Sequence, residues 1–413
     1  MREIKNNLKT YNGIYFRPAA MNMVEEGGKI WMALANRNGI CEVDKKTRKA
    51  RICRVFDGEP LSKQLLYCCV EKVENKLIFS PGMADKIAVY DLEEDFITYI
   101  PLRPLKRHYK MSQQEIKFWN VFHHNFNVYL IGYSYPAIIK LDTKSMQVEY
   151  ITDWVEAIEK NIKEEDTCGY FSDGHIISGD VALLSISSMK AVLELNLKSS
   201  HTKIRELKIS TKGIGGLSST DGENIWLVGK ERGTNVVAHW NRRIESMEEF
   251  FIEDMDENIY DPFYAPVCTD SKIFLMPLAA AHIYVLDKND GKIEKKRMAE
   301  WLISDSRSPF WMAWRVMAVR YQDKHLSFLS GDDFSWYEYN VETNENQKFF
   351  IYWEDEIRAV EQYFEDVCLE SEKENIKLPE MRVPLEYFIN TRVQRNDRYE
   401  KRNVGKKIYD LLC

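Results

Sequence analysis

A repeated segment that ends in Asp or Asn is the feature that most constrains how this chain can fold. In each copy, a short apolar run, a polar turn and a second apolar run lead to the closing residue, and the first copy spans Lys29 to Asp44. The closing residues are Asp44, Asp91, Asp142, Asn196, Asn241, Asp287 and Asn340, at intervals of 45 to 54 residues. Because these side chains can accept a hydrogen bond from the backbone two residues further on, we expect each closing residue to start a turn.

The period of the repeat predicts an all-β fold. Each copy also has an apolar segment before the indexed pair, such as residues 118–122, and a β-rich segment after it, such as residues 147–151. Four strands in a period of about 40 to 50 residues are typical of a β-propeller blade, whereas a helical solenoid would show a 3.6-residue periodicity. The sequence therefore predicts a seven-bladed β-propeller of four-stranded blades over residues 1–353. Six or eight blades remain open because the fourth repeat is degenerate.

Composition narrows the class of partner. Aromatic residues make up 12% of the 413 residues, and aromatic side chains favour strands. The net charge of −7 and the lack of a basic stripe argue against nucleic acid binding. No run approaches the roughly 18 apolar residues of a membrane span, and the first residues lack the apolar core of a secretory signal. We therefore expect no nucleic acid and no membrane as partners.

The eight cysteines indicate a reducing compartment. They are spread over the chain without CxxC pairs, which is unlike a disulfide framework or a zinc site. Several lie in strand-like apolar runs, where a free cysteine packs as a small hydrophobic residue. We expect a cytoplasmic protein with no bound metal and no cofactor.

Two segments carry a resemblance to known repeats. Residues 221–229 (DGENIWLVG) and 28–31 (GKIW) resemble blades of the bacterial regulator-type and kelch-like β-propellers, whose repeats read D-G-x-I-W-L-G followed by Y-D-x-x-T-G-K. The resemblance covers residues 13–353 and implies the fold. It brings no catalytic residues, and the kelch double glycine is missing from most copies.

The sequence changes character after Trp353. Ile357, Val360, Phe364 and Val367 recur at helical spacing in an acidic segment, which predicts an amphipathic helix. We expect residues 354–413 to form a helical tail that packs on the propeller, or alternatively docks a partner or mediates self-association. An Arg-rich run at residues 392–402 is better explained by a solvated face than by an RNA site.

No standard catalytic motif occurs in the sequence. It contains no HExxH, no GxSxG, no Walker loop and no EF-hand loop. The glycine-rich segment 212–216 lacks the helix of a dinucleotide site and is better assigned to an inner strand, where backbones crowd the axis. His123 and His124 are neighbours in a predicted strand, so their side chains should point to opposite faces and not share a metal.

Candidate ligand-binding residues lie in a band before each indexed pair. This band should form the start of each innermost strand and face the entrance of the central channel. It contains Arg17, Tyr67, Trp119, Asn120, Tyr170, Tyr264, Trp314 and Arg315, with Trp311 just upstream. Aromatic faces with Arg and Asn donors suit a sugar, a peptide or another planar ligand. The alternative is that several of these residues are core between blades.

The sequence thus favours a binding or scaffold propeller that recognises a protein, peptide or glycan-like ligand at its axial face. A propeller enzyme (a glycosidase, lyase or cyclase) with acid and base groups at the channel mouth is the alternative. It would need two or more titratable groups within hydrogen-bonding reach of one pocket. A structural subunit that assembles through its tail is the third hypothesis.

Overall fold

The structure is a computed structural model that describes residues 18–59, 64–107, 116–162, 169–230, 235–253, 263–278, 280, 282–297, 316–331 and 334–354. The chain divides into two compact units. One is Pro18–Tyr352, and the other combines Met1–Arg17 with Trp353–Cys413. Of the second unit only Trp353 and Glu354 are described. The predicted tail helices lie outside the described residues, and the predicted domain boundary stays a prediction.

The described strands form six sheets. The eight-stranded sheet consists of two four-stranded units joined by the parallel pairing of Asp173 with Gly216, so we number seven four-stranded antiparallel units as blades 1 to 7. The strand Tyr352–Trp353 adds a fifth strand to the sheet of blade 1. Blade 1 comprises β1 (Val24–Glu26), β2 (Lys29–Ala33), β3 (Ile40–Asp44) and β4 (Lys49–Arg54). Blade 2 comprises β5 (Tyr67–Val73), β6 (Lys76–Pro81), β7 (Lys86–Asp91) and β8 (Phe96–Pro101). Blade 3 comprises β9 (Phe118–His124), β10 (Asn127–Gly132), β11 (Ile138–Asp142) and β12 (Val148–Ile151).

The second half repeats this arrangement after the short helix α1 (Val155–Glu159). Blade 4 comprises β13 (Phe171–Ser178), β14 (Val181–Ile186), β15 (Ala191–Asn196) and β16 (Thr202–Glu206). Blade 5 comprises β17 (Ile214–Ser218), β18 (Asn224–Gly229), β19 (Val236–Asn241) and β20 (Ser246–Phe251). Blade 6 comprises β21 (Val267–Cys268), β22 (Lys272–Leu275), β23 (His282–Asp287) and β24 (Ile293–Arg297). Blade 7 comprises β25 (Val316–Gln322), β26 (His325–Ser330), β27 (Trp336–Asn340) and β28 (Asn346–Phe349), and β29 (Tyr352–Trp353) follows it.

Strand order places the first strand of each blade innermost. Within a blade the strands pair in sequence order, and the first strands of neighbouring blades contact one another, as β5 does with β9 and β9 with β13. The turns after the first and third strands lie at one end of the ring, which we call the turn end. The first strands begin at the opposite end, which we call the entrance end. The predicted all-β propeller class is confirmed, and the blade number of the complete chain stays a prediction.

All seven predicted closing residues end the third strand of a blade. Their side chains accept backbone hydrogen bonds in the turn, as expected: Asp142 Oδ1 accepts from the N–H groups of Lys144 (2.9 Å) and Ser145 (2.8 Å). The residue four positions after each closing residue has a positive φ: Arg48, Asp95, Met146, Ser200, Glu245, Gly291 and Asn344. The seven turns between third and fourth strands therefore share one conformation.

The core lies between the blades, where the facing sheets pack. Phe274 and Val285 of blade 6 pack with Phe328 and Tyr337 of blade 7, and all four are buried. Helix α1 supports the space between blades 3 and 4, because the buried Trp154 at its start and Ile158 within it join the apolar cluster there. Each sheet thus buries apolar side chains on both faces.

Side chains join blade 7 to blade 1. Lys45 lies 2.7 Å from a carboxylate oxygen of Glu25 in its own blade and 3.3 Å from that of Glu338 in blade 7. The guanidinium of Arg48 lies 4.4 Å above the ring of Phe349. The backbone N–H of Tyr352 donates to the carbonyl of Arg48 at 3.1 Å. Unit Pro18–Tyr352 therefore closes without exchanging an inner strand between its two ends.

The shared turn predicts opposite effects of two substitutions at equivalent positions. Met146 has φ +57° and Gly291 has φ +70°. Met146→Gly removes the strain of a left-handed backbone but increases the conformational entropy of the unfolded chain. The net effect should be to stabilise the protein by about 0.5 kcal/mol. Gly291→Ala should destabilise it by about 1–2 kcal/mol, since its Cβ would also lie 2.7 Å from the Phe250 ring. Urea unfolding midpoints measure both, and a lower midpoint for Met146→Gly would contradict the assignment.

Candidate functional site

Polar contacts join the inner segments of neighbouring blades around the axis. Six are hydrogen bonds between a side chain and the backbone, and four of these are Val70 N–H to Asn22 Oδ1 (3.1 Å), Cys69 Sγ to the Trp119 carbonyl (2.9 Å), Asn120 Nδ2 to the Gly174 carbonyl (2.9 Å) and Cys268 N–H to Ser218 Oγ (3.3 Å). The others are the parallel pairing of Asp173 with Gly216, the Tyr264 hydroxyl to the Val316 carbonyl (2.7 Å) and Arg320 to the Glu25 carbonyl (3.4 Å). These contacts fix the first strands relative to one another.

A bulge in β13 brings blade 4 against blades 5 and 6. The pairing of β13 with β14 shifts register between Phe171 and His175, and Gly174 within the bulge has φ +80°. A Cβ at Gly174 would lie 2.4 Å from the Leu217 carbonyl oxygen and 2.8 Å from Cβ of Ala265. Only glycine fits such an approach, so the bulge occupies part of the space around the axis.

The bulge places the half-buried Asp173 between two blades. Its Oδ1 accepts the N–H of Gly174 at 2.8 Å, and the backbone N–H of Ala265 also donates to this carboxyl. Burial raises the pKa of Asp173 above its usual value, while the two backbone donors partly oppose that shift. The carboxyl group of Asp173 therefore accepts hydrogen bonds from the backbone of two blades.

His175 and Asn120 form the neighbouring pair. Because Asn120 Nδ2 donates to the Gly174 carbonyl, its Oδ1 is an acceptor, and His175 Nδ1, 3.1 Å away, must donate to it. The imidazole also stacks on Phe122 at 4.6 Å between ring centroids. Burial, assisted by the charge of nearby His123, lowers the pKa of His175 to about 4, so the ring is neutral at pH 7.

The two adjacent histidines point to different blades, as the strand alternation predicts. His123 Nδ1 lies 3.1 Å from Glu71 of blade 2, whose hydrogen bond raises the pKa of this histidine. His124 Nε2 lies 3.8 Å from Asp180 of blade 4. Within the described ranges, no group of three or more His, Cys, Asp or Glu side chains could hold a metal ion.

Two of the candidate ligand-binding residues stand together at the start of β9. Trp119 is half-buried, and its ring lies 6.0 Å from that of Tyr133, which is also half-buried. Asn120, next in the strand, is 7% exposed and belongs to the axial pair with His175. Trp119 therefore lies at the entrance end and Asn120 one step further inside.

Three other candidates are packed between blades. Tyr67 lies 4.1 Å from Phe56 between ring centroids, the Tyr170 hydroxyl donates to Glu159, and the Tyr264 hydroxyl donates to Val316. All three tyrosines are buried, as expected if these residues belong to the core between blades. Their part in ligand binding stays a prediction. Arg17, Trp311, Trp314 and Arg315 lie outside the described residues.

The sequence argument missed Asp173, His175 and Tyr133. The signal for the first two was present, since the run Ser172-Asp173-Gly174-His175 places a turn-like Asp-Gly pair where an apolar inner strand was expected. Such a pair inside a strand is typical of a bulge. Tyr133 follows the second strand of its blade, and no local pattern relates it to Trp119.

Comparisons with known proteins support the fold. No protein-family model and no curated protein sequence matches this chain. Among solved structures, the chain is similar to the dihydro-heme d1 dehydrogenase NirN in complex with DHE, with 12% identity and a TM-score of 0.50 over 81% of this chain and 66% of that one. It is also similar to the extracellular domain of the putative hybrid two component system BT4673 from B. thetaiotaomicron, with 9% identity and a TM-score of 0.51 over 78% of this chain and 38% of that one.

These neighbours are β-propellers, and at such identities the likeness concerns the fold alone. The match spans less than two thirds of either neighbour's length. The resemblance to kelch-like repeats stays a prediction. Among the described residues, no helix is both long and apolar enough to cross a bilayer.

The low pKa of His175 predicts a pH-dependent stability. In the unfolded chain a histidine titrates near 6.5, so at lower pH the unfolded state takes up a proton that the folded state excludes down to about pH 4. This histidine should therefore cost the folded state about 2 kcal/mol between pH 7 and pH 5. His175→Gln keeps a donor for Asn120 and removes the titration. Urea unfolding at both pH values should show a smaller loss for His175→Gln, and equal losses would contradict the assignment.

Proposed function

We propose that this chain is a binding β-propeller that recognises a peptide segment of a protein partner at its entrance end. The observation that carries the proposal is the pair of half-buried aromatic rings, Trp119 and Tyr133, at the start of an innermost strand. Partly exposed Trp and Tyr side chains combine a large apolar surface with a hydrogen-bonding group, and they are enriched at the centres of protein interfaces.

The surroundings of this pair suit an interface. Gly169 lets the Tyr133 ring lie against the backbone that enters blade 4, because a Cβ there would come within 2.5 Å of the ring. Lys117 lies 3.1 Å from Asp85, and Arg107 donates to the Ser134 carbonyl. Aromatic rings bordered by such charged groups resemble the apolar centre and polar rim of a protein interface.

The axial cluster bears on the alternative, an enzyme with acid and base groups at the channel. Clusters of groups with shifted pKa values often mark catalytic sites, and Asp173 with His175 is such a cluster. Both side chains, however, are bonded to Asn120 or to backbone N–H groups of the protein itself. This arrangement supports a structural role at the axis, so a glycosidase, lyase or cyclase is the second candidate.

The remaining features of the proposal follow from the sequence. We propose a cytoplasmic location, which suits the five free cysteines among the described residues, Cys41, Cys53, Cys68, Cys69 and Cys268. The proposal includes neither nucleic acid nor membrane among the partners. We also propose that the protein self-associates through residues 354–413.

A displayed library of random peptides, selected on the purified full chain, tests the proposal. The affinity of a selected peptide is then measured by calorimetry for the wild type and two variants. Trp119→Ala should weaken binding at least about tenfold, as expected for an aromatic residue at the centre of an interface. Phe96→Ala is the matched control, because Phe96 is an aromatic residue of outer strand β8 that is 64% exposed.

Three outcomes would count against the proposal. If Trp119→Ala leaves the peptide affinity unchanged, the aromatic pair is not part of the peptide-binding site. If glycans bind instead of peptides, and their binding depends on Trp119 in the same way, the ligand is a glycan and not a peptide. Turnover of a glycan substrate that Asp173→Asn abolishes would favour the enzyme.

A further inference from the structure

The segment that leads from blade 2 to blade 3 crosses the entrance end of the ring beside the aromatic pair. Its sequence over residues 102–107 is LRPLKR, and we call these residues the basic segment. The basic segment follows β8, the outermost of the four strands of blade 2, and the chain then continues to β9, the innermost strand of blade 3. It therefore runs from the rim of the ring toward Trp119.

Three hydrogen bonds fix the outer part of the basic segment. The N–H of Leu102 donates to the carbonyl of Asp85 in blade 2 at 2.9 Å. Arg103 bonds to two tyrosines of blade 3, because its N–H donates to the Tyr150 hydroxyl at 3.0 Å and its carbonyl accepts the hydroxyl of Tyr135. A backbone that is already fixed loses little freedom when a ligand binds, which lowers the cost of binding.

The inner part of the basic segment adjoins the aromatic pair. The guanidinium of Arg107 donates to the carbonyl of Ser134, the residue after Tyr133, at 3.3 Å. The N–H of Tyr133 in turn donates to the carbonyl of Lys117, two residues before Trp119, at 2.7 Å. The charge of the guanidinium and the two aromatic rings therefore belong to one continuous surface.

The basic segment carries positive charges at Arg103, Lys106 and Arg107 and no negative charge. The side chains of Arg103 and Lys106 are exposed, and within the described part of the chain neither has a carboxylate within ion-pair distance. These two side chains can bind a carboxylate of a ligand without first breaking an ion pair. Arg107 is half-buried and adds a permanent charge beside the aromatic pair.

The carboxylates on this side of the entrance end are bonded within the protein. Asp85 lies 3.1 Å from the ammonium group of Lys117, and Glu159 of helix α1 accepts the hydroxyl of Tyr170. The acidic residues of segment 57–59 belong to the link between blades 1 and 2, one junction further round the ring. Positive charge is therefore in excess beside the aromatic pair.

We propose that the peptide recognised at the entrance end is acidic, with an apolar side chain on the aromatic pair and carboxylates on the basic segment. This inference rests on the proposed function and gives its ligand a chemistry. Arg103 and Arg107 are four residues apart, and the ligand peptide has the same maximum length per residue, about 3.6 Å. The carboxylates should therefore lie within about four positions of the apolar residue.

Single-stranded nucleic acid is another anionic polymer that binds basic and aromatic side chains. A site for it combines a positively charged groove along several nucleotides with a series of aromatic residues on which successive bases stack. The basic segment is short, one aromatic pair adjoins it, and the whole chain has a net charge of −7. An acidic peptide, which needs a few ionic contacts and one apolar contact, fits this surface better.

Peptides selected from a random displayed library on the full chain test the proposal. They should contain Asp or Glu within about four positions of a large apolar residue. The affinity of one such peptide, measured by calorimetry, should fall as the salt concentration rises. Arg103→Gln/Lys106→Gln should weaken its binding about three- to thirtyfold, as expected for the loss of two exposed ion pairs.

Charge exchange gives a second test with its own control. When lysines replace the acidic residues of the peptide, Arg103→Glu/Lys106→Glu should bind it more tightly than the wild type does. Lys46→Gln/Lys203→Gln is the matched control for the glutamine variant, because it changes the net charge equally at two exposed lysines of blades 1 and 4. It should leave the affinity unchanged, and melting temperatures verify that all variants keep the fold.

The possible outcomes separate this inference from the proposed function. Selected peptides that depend on Trp119 but have no excess of acidic residues, or that bind Arg103→Gln/Lys106→Gln as tightly as the wild type, would overturn the inference and leave the proposed function standing. If no selected peptide depends on Trp119, both are wrong. Binding of a single-stranded RNA oligonucleotide that Arg103→Gln/Lys106→Gln weakens, with no peptide binding, would overturn the inference in favour of nucleic acid.

Discussion

The packing of one sheet face against the next is the interaction on which this structure depends. A four-stranded sheet with apolar side chains on both faces cannot be stable alone, because both faces must leave water. In this chain the clusters at Phe79, Phe171 and Phe274 each draw residues from two adjacent blades. Stability is therefore shared between neighbours, and a ring provides every blade with two of them.

Close packing at the axis brings backbones together and makes particular residues necessary there. Gly174 and Gly216 face Ala265 at distances that no side chain could tolerate. Where backbone groups approach so closely, their polar atoms need partners, and the bulge of β13 places Asp173 among backbone N–H groups of two blades. The carboxyl group of Asp173 supplies partners for backbone N–H groups of both blades.

Local features of this fold could be predicted from the sequence, and features that depend on distances between blades could not. The closing residues, from Asp44 to Asn340, were correct at all seven positions because the turn that follows each is determined by a few consecutive residues. The opposite orientation of His123 and His124 follows from strand alternation in the same way. The meeting of Trp119 with Tyr133, at the ends of the paired strands β9 and β10, depends on the register shift between Ile131 and Gly132, which the sequence pattern does not specify. The burial of Tyr67, Tyr170 and Tyr264 needed the same three-dimensional information, since an aromatic residue at a strand start suits a channel wall or a core equally well.

The joint between blades 7 and 1 has a consequence for how the ring opens. Blade 1 takes all four of its strands from the continuous segment 24–54, so the hydrogen-bond ladder of β1 to β4 does not span the joint. Lys45, Arg48, the main-chain bond of Tyr352 and the pairing of β29 with β4 link the two blades there, in addition to apolar packing. Propellers that complete one blade with strands from both chain ends must break such a ladder to open. Here, opening at the joint must likewise break the pairing of β29 with β4 at the outer edge of blade 1, while the four strands taken from the segment 24–54 keep their own ladder.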